Sequence, residues 1–215
     1  MLRDHIPNGP LPYYKTYIER IMGPNVLGKL LWPLLNRTIG AQVAKAIPDF
    51  VEETLKGLAA GSGMSEREIL AGATMPDSLM WLAARVLGWQ SSGPALHHRL
   101  ALGLGCTSAV AWGDATADGR LLHARNLDYH GVDCWPKTAA VIFHTPDEGQ
   151  RYVSVAAAGA PMGGITSMNE AGLTMTVHQH MFTDKTRLGG TPIGFVGDLV
   201  MRYADSIDAA QEILS

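Results

Sequence analysis

Gly105-Cys106-Thr107-Ser108-Ala109-Val110 divides the chain. Before it, apolar residues recur at helical spacing; from Cys106 onward they alternate as in strands. The same six residues carry chemistry. Cys106 follows a glycine, the residue that least obstructs attack on its own carbonyl. Scission of the Gly105–Cys106 bond would leave Cys106 as a chain terminus bearing both a thiol and an amine. A nucleophile and a base would then reside on one residue.

Upstream, the stretch from about Pro10 to Trp89 reads as helical. Val51 to Leu58 has apolar residues at helical spacing, and Gly61-Ser62-Gly63 ends that element rather than forming a nucleotide loop. Ser65-Glu66-Arg67-Glu68 is an S-x-x-E capping box that opens a second helix. Pro76 is expected to interrupt or kink it, with Ser78 to Leu87 resuming. Downstream, strands are predicted at Cys106–Trp112, Leu121–Leu127, Ala139–Phe143, Tyr152–Ala157, Gly164–Ser167 and Leu173–His178, as a mainly antiparallel sheet. Thr191-Pro192 is expected to start a helix running to about Tyr203, and Asp205 or Ser206 another. The last helix carries an apolar stripe of Ile207, Ala210, Ile213 and Leu214 with no later element to pack on. A fragment, or a chain completed by a partner, is the expectation.

Composition narrows the function. The 215 residues are 47% hydrophobic and 17% charged, ordinary for one or two globular domains. A net charge of -3 without a Lys/Arg block argues against nucleic acid and for a small-molecule substrate. The two cysteines, Cys106 and Cys134, form no close metal-type pair, and a disulfide framework is not expected. Cys134 reads as structural. No secretory signal and no span of about 18 apolar residues is present, so the expected location is cytoplasmic, unless a signal peptide has been removed.

Three segments appear in order: Gly105-Cys106-Thr107-Ser108, then Leu122-His123-Ala124-Arg125-Asn126-Leu127-Asp128-Tyr129, then Met168-Asn169-Glu170-Ala171-Gly172-Leu173. Together they resemble the cholylglycine-hydrolase-type N-terminal nucleophile (Ntn) hydrolases, the group of bile-salt hydrolase, acid ceramidase and isopenicillin N acyltransferase. The resemblance spans about residues 50–200. It implies an α+β fold, the four-layer αββα sandwich, with 1–105 a helical pro-segment and 106–215 the N-terminal part of the catalytic domain. The implied activity is that of a zymogen that cleaves itself between Gly105 and Cys106. It then acts as a cysteine amidohydrolase or acyltransferase on a linear amide through an acyl-thioester. Cys106, Arg125 and Asp128 match the family's catalytic residues. In the stretch Thr176 to His180, comparable to the one where the bile-salt hydrolase branch has an oxyanion asparagine, Gln179 is the candidate donor and His178 a candidate for lining the substrate cleft. The implied cofactor and metal are none. The implied partners are a small amide or acyl substrate and, for assembly, a homo-oligomer or a second chain supplying later elements.

Hairpin register tests whether Arg125 can reach Cys106. A two-residue turn at Asp118-Gly119 would set Cys106 opposite Gly131 and leave Arg125 roughly 20 Å away. A longer loop over Asp114 to Gly119, closed by Gly113 and Arg120, sets Cys106 opposite Leu127. Arg125 then lies diagonally on the same face at roughly 7–8 Å. The longer loop is expected. Asp128 would need a bulge or strand end to turn inward.

Other readings of the same residues exist. Cys106 read alone is a small buried hydrophobe, and Arg125 with Asp128 a structural ion pair. The chain would then be a non-catalytic binding or assembly domain. His178 and His180 alternate on one strand and would suit a metal-dependent hydrolase if a third ligand existed.

Overall fold

The computed structural model describes residues 3–10, 12, 26–89, 105–128, 134–160, 162–178 and 186–215. They form a mixed helix and sheet (α+β) structure with antiparallel sheets. After a 3-10 turn at Ile6–Asn8, α1 spans Val26–Leu35, and a π-helical turn at Asn36–Gly40 leads into α2, Ala41–Ala44.

Helix α3, Asp49–Ser62, ends at Gly63, whose φ of 76° lets its N–H close on the Ala59 carbonyl. Helix α4, Glu66–Trp89, starts at the expected capping box. Ser65 Oγ accepts from Glu68 N at 3.3 Å while Glu68 Oε2 accepts from Ser65 N at 3.1 Å. The expected interruption at Pro76 is corrected: α4 runs through it. Thr74, Met75 and Ser78 around the proline are almost fully buried. Packing on both sides of Pro76 holds the backbone helical despite the missing donor.

Strands β1, Gly105–Gly113, and β2, Gly119–Asp128, form a two-stranded sheet. A short helix α5, Cys134–Thr138, precedes β3, Ala139–His144. With β4, Tyr152–Ala157, β5, Thr166–Asn169, and β6, Thr174–Thr176, it forms a second sheet in the order β3-β4-β5-β6. The last two strands differ from expectation in extent, β5 lying two residues later and β6 shorter. Helices α6, Ile193–Tyr203, and α7, Ile207–Leu214, complete the described residues.

Pairing parity sorts the second sheet into two faces. Tyr152, Ser154, Ser167 and Asn169 are buried towards α6, where Tyr152 packs with Val200, Met201 and Ala204. Ala210 and Ile213 of α7 pack on the same cluster, so that stripe is partly covered, whereas Ile207 and Leu214 stay exposed. Gly164 and Gly197 touch backbone to backbone, an approach any Cβ would block. The other face carries Val141, Phe143, Val153, Val155 and Met168 beside Thr166, Thr174 and Thr176. The threonine end is covered by β2, and the apolar end is open, with Phe143 78% exposed.

Phe195 of α6, fully buried, sits among Ile6, Val51, Leu55, Ala59, Ile69 and Ala73. The helical region and the sheet region therefore share one core. Cys134 is buried beside Trp32, Leu35 and Met75, and burial pushes its thiol pKa up, as fits a structural cysteine.

Candidate active site

The β1–β2 hairpin has the register expected of the longer loop. Cys106 pairs with Leu127, Ser108 with Arg125 and Val110 with His123. The closing pair is Gly113 with Gly119 rather than Arg120, because the strand is irregular between Ala111 and Gly113. Both closing glycines have positive φ, 57° and 75°, which a side chain would resist. Thr116 Oγ1 donates to the carbonyls of Gly113 and Arg120 across the loop, at 3.1 and 2.9 Å.

Residues that oppose each other share a face, so Cys106, Ser108, Arg125 and His123 all look towards the second sheet. Arg125 reaches diagonally and donates from Nη2 to Cys106 Sγ at 3.1 Å. Its orientation is fixed by two further bonds: Nη1 donates to Thr166 Oγ1 at 2.8 Å, and Nη2 to the Val177 carbonyl at 2.9 Å. Among the described residues these partners are a thiol, a hydroxyl and a carbonyl, and none is a carboxylate. A full positive charge therefore lies against the sulfur, placed to stabilise negative charge developing there.

Two histidines flank this pair. His178 Nε2 lies 2.9 Å from Ser108 Oγ, one strand repeat from the cysteine on the same face. The ring nitrogens of His123 lie against two threonines of β6, Nδ1 at 3.0 Å from Thr174 Oγ1 and Nε2 at 3.5 Å from Thr176 Oγ1.

Asp128 is the last residue of β2 and pairs with Gly105. Its carboxylate accepts from Asn126 Nδ2 at 3.0 Å, on the face away from Arg125. The structure thus brings Cys106 and Arg125 together and holds Asp128 one residue away on the other face. Arg125 and Asp128 do not form the ion pair that a purely structural reading required. Any inward turn of Asp128 would involve residues 129–133, outside the described residues. Gln179 and His180 are also outside them. Among the described residues no group of three His, Cys, Asp or Glu side chains is arranged to hold a metal, and no helix is long and apolar enough to cross a membrane.

Several contacts had no signature in the sequence. Thr166 and the Val177 carbonyl position Arg125 only because two separate sheets meet face to face. Asn169, read as a turn residue, does more: buried, it donates to the carbonyls of Met201 and Ala204 and accepts from Leu173 N, fastening the end of α6 to the β5–β6 turn.

A second polar group lies on the opposite face of the four-stranded sheet. Asp198 accepts from Tyr152 Oη at 2.6 Å and from Gly163 N at 3.1 Å, and His144 stacks on Tyr152 with ring centres 4.1 Å apart. These residues line a cavity of about 220 Å³ with Phe50 and Arg202. Burial raises the Asp198 pKa to about 6 and that of Tyr152 still further, and lowers that of His144. Perturbed acidity alone would favour this spot as a site. The bonds argue for a structural clamp, since Asp198 ties α6 to β4 and to the loop at Gly163.

A family model described as acyl-coenzyme A:6-aminopenicillanic acid acyl-transferase matches residues 115–215. An uncharacterized protein of Archaeoglobus fulgidus is 26% identical over 210 residues, which is 91% of this chain and 33% of the relative. The chain spans about a third of that relative's length. No solved structure gives a significant match. Over residues 115–215, a stretch that contains Arg125 and Asp128, the chain is similar to a family of acyl-transferring enzymes.

Proposed function

We propose that the protein is a self-cleaving cysteine amidohydrolase or acyltransferase that breaks a linear carbon–nitrogen amide bond through an acyl-thioester on Cys106. The observation that carries this reading is the 3.1 Å bond from Arg125 to Cys106 Sγ, in a hairpin whose register sets both side chains on one face. The acyl-transferase match over residues 115–215 supports the same chemical class.

In this reading residues 1–105 are a pro-segment and 106–215 the first part of a four-layer αββα catalytic domain. Scission after Gly105 frees the Cys106 α-amine, whose reference pKa of about 7.7–8.0 suits it to take the thiol proton as substrate arrives. The sulfur attacks the amide carbonyl, the amine departs with a proton, and water or an acceptor amine opens the thioester. Arg125 holds the sulfur and the substrate's polar group. Asp128, next to the new terminus through its pairing with Gly105, orients the amine. Gln179 is the proposed oxyanion donor.

Intact mass spectrometry of the chain tests the reading. The expected result is two fragments, one ending at Gly105 and one beginning at Cys106, with a single uncut mass for Cys106→Ala. Amide hydrolysis should be abolished by a thiol reagent and indifferent to a chelator. Scission that persists in Cys106→Ala would sink the mechanism, and a stable uncut wild type with an inert thiol would favour a non-catalytic binding domain.

A further inference from the structure

The α-amine that serves turnover does not exist until the Gly105–Cys106 bond is broken, so the scission itself needs a different proton acceptor. We infer that His178, acting through Ser108, is that acceptor, an inference that rests on the self-cleaving reading above. Among the described residues, each other charged or titratable group facing this spot is unsuited. Arg125 bonds the sulfur, but a guanidinium does not give up its proton. His123 has both ring nitrogens against threonine hydroxyls. Asp128 lies on the other face with its carboxylate held by Asn126.

His178 is placed differently. Its Nε2 lies 2.9 Å from Ser108 Oγ, and Ser108 shares the sulfur's face. Two residues along a strand lie about 6.7 Å apart, beyond the reach of one hydrogen-bonded water and spanned by a chain of two. In the tautomer protonated on Nδ1, Ser108 donates to Nε2. A proton taken from the thiol passes through the two waters and the hydroxyl to the free lone pair of the imidazole.

The steps balance. The thiol proton moves to His178, and sulfur bonds to the Gly105 carbonyl carbon. The carbon–nitrogen bond then breaks, and the imidazolium returns its proton to the departing nitrogen, which becomes the Cys106 amine. Water then opens the Gly105 thioester, releasing a carboxylate and restoring the thiol. One water is consumed, and no oxidant or metal is needed.

The experiment is a time course of scission, by intact mass, of the full chain made by cell-free translation between pH 5.5 and 8.5. Wild-type scission should quicken as pH rises. His178→Gln should be about 10²-fold slower or more, the usual share of one positioned acid–base group, and should lose that pH dependence. Ser108→Ala should be slowed less. Because a glutamine variant that misfolds would also fail to cut, His178→Gly is assayed with added imidazole, which should restore scission in proportion to its unprotonated concentration. Equal rates and pH profiles in wild type and His178→Gln overturn the inference alone. Failure of imidazole to rescue His178→Gly overturns it too. A wild type that never cuts overturns the self-cleaving reading beneath it.

Discussion

At the scale of single residues, the sulfur of Cys106 owes its surroundings to Arg125. That side chain forms three hydrogen bonds with two nitrogens, to a thiol, a hydroxyl and a carbonyl on three different segments. Lysine would keep the charge and lose the fork. Arg125→Lys is therefore expected to fold and to cut itself about 10²-fold more slowly, the loss typical of one positioned donor; an unaltered rate by mass spectrometry would mean that charge alone suffices. Asp198 gives a second expectation. Its folded pKa of about 6 lies above the ordinary 3.8, so the unfolded chain loses that proton first as pH rises. The stability this group contributes is whole below about pH 4 and is lost as pH rises to about 6, on the order of 3 kcal/mol. Asp77, also raised by burial, works in the same direction. Denaturant midpoints of wild type and Asp198→Asn should accordingly differ in slope between pH 4 and 6, and parallel curves would refute the assignment.

Elements are tied together by side chains that terminate helices at a distance. Helix α6 was expected to begin with Thr191 as its cap. In the structure Pro192 occupies the cap position without a side-chain bond, and Asp77 of α4 accepts from Ile193 N at 3.0 Å instead. Asn169 closes the other end. Both ends of α6 are thus satisfied by residues remote in sequence, which no local pattern announces. Asp77→Ala should cost about 1–2 kcal/mol in urea unfolding, the cost of losing a helix cap, and a change below a few tenths would mean that water replaces it. By contrast, the Ser65–Glu68 box and the Gly63 stop were legible, because each is closed within four residues.

For the whole molecule, the consequence of the shared core is that the 3-10 turn, α3 and α4 would not leave freely after the proposed scission. Phe195 fills a site built by residues of the 3-10 turn, α3 and α4, and Arg202 of α6 lies 4.1 Å over the Phe50 ring. After cleavage at Gly105 the two fragments should elute together in native size exclusion and separate only in denaturant. Phe195→Ala should destabilise by about 3–5 kcal/mol. Fragments that part in native buffer would mean the core is not shared. The open apolar end of the second sheet, with Val141, Phe143 and Val155 more than half exposed, is a surface of the kind that marks an interaction site.

What could be read without coordinates was whatever depends on neighbours along the chain: the change of periodicity at Gly105, the capping box, the run of strands, and the hairpin loop length that sets Cys106 opposite Leu127. Hydrogen-bond geometry and side-chain alternation act over a few residues, so their traces are local. The meeting of two sheets, by contrast, decided that Thr166 and the Val177 carbonyl would aim Arg125 and that Ser108 would find His178, and the packing of α4 beside α6 decided that Asp77 would cap α6. Those contacts join residues 41 to 116 positions apart, and only packing free energy summed over the whole core selects them.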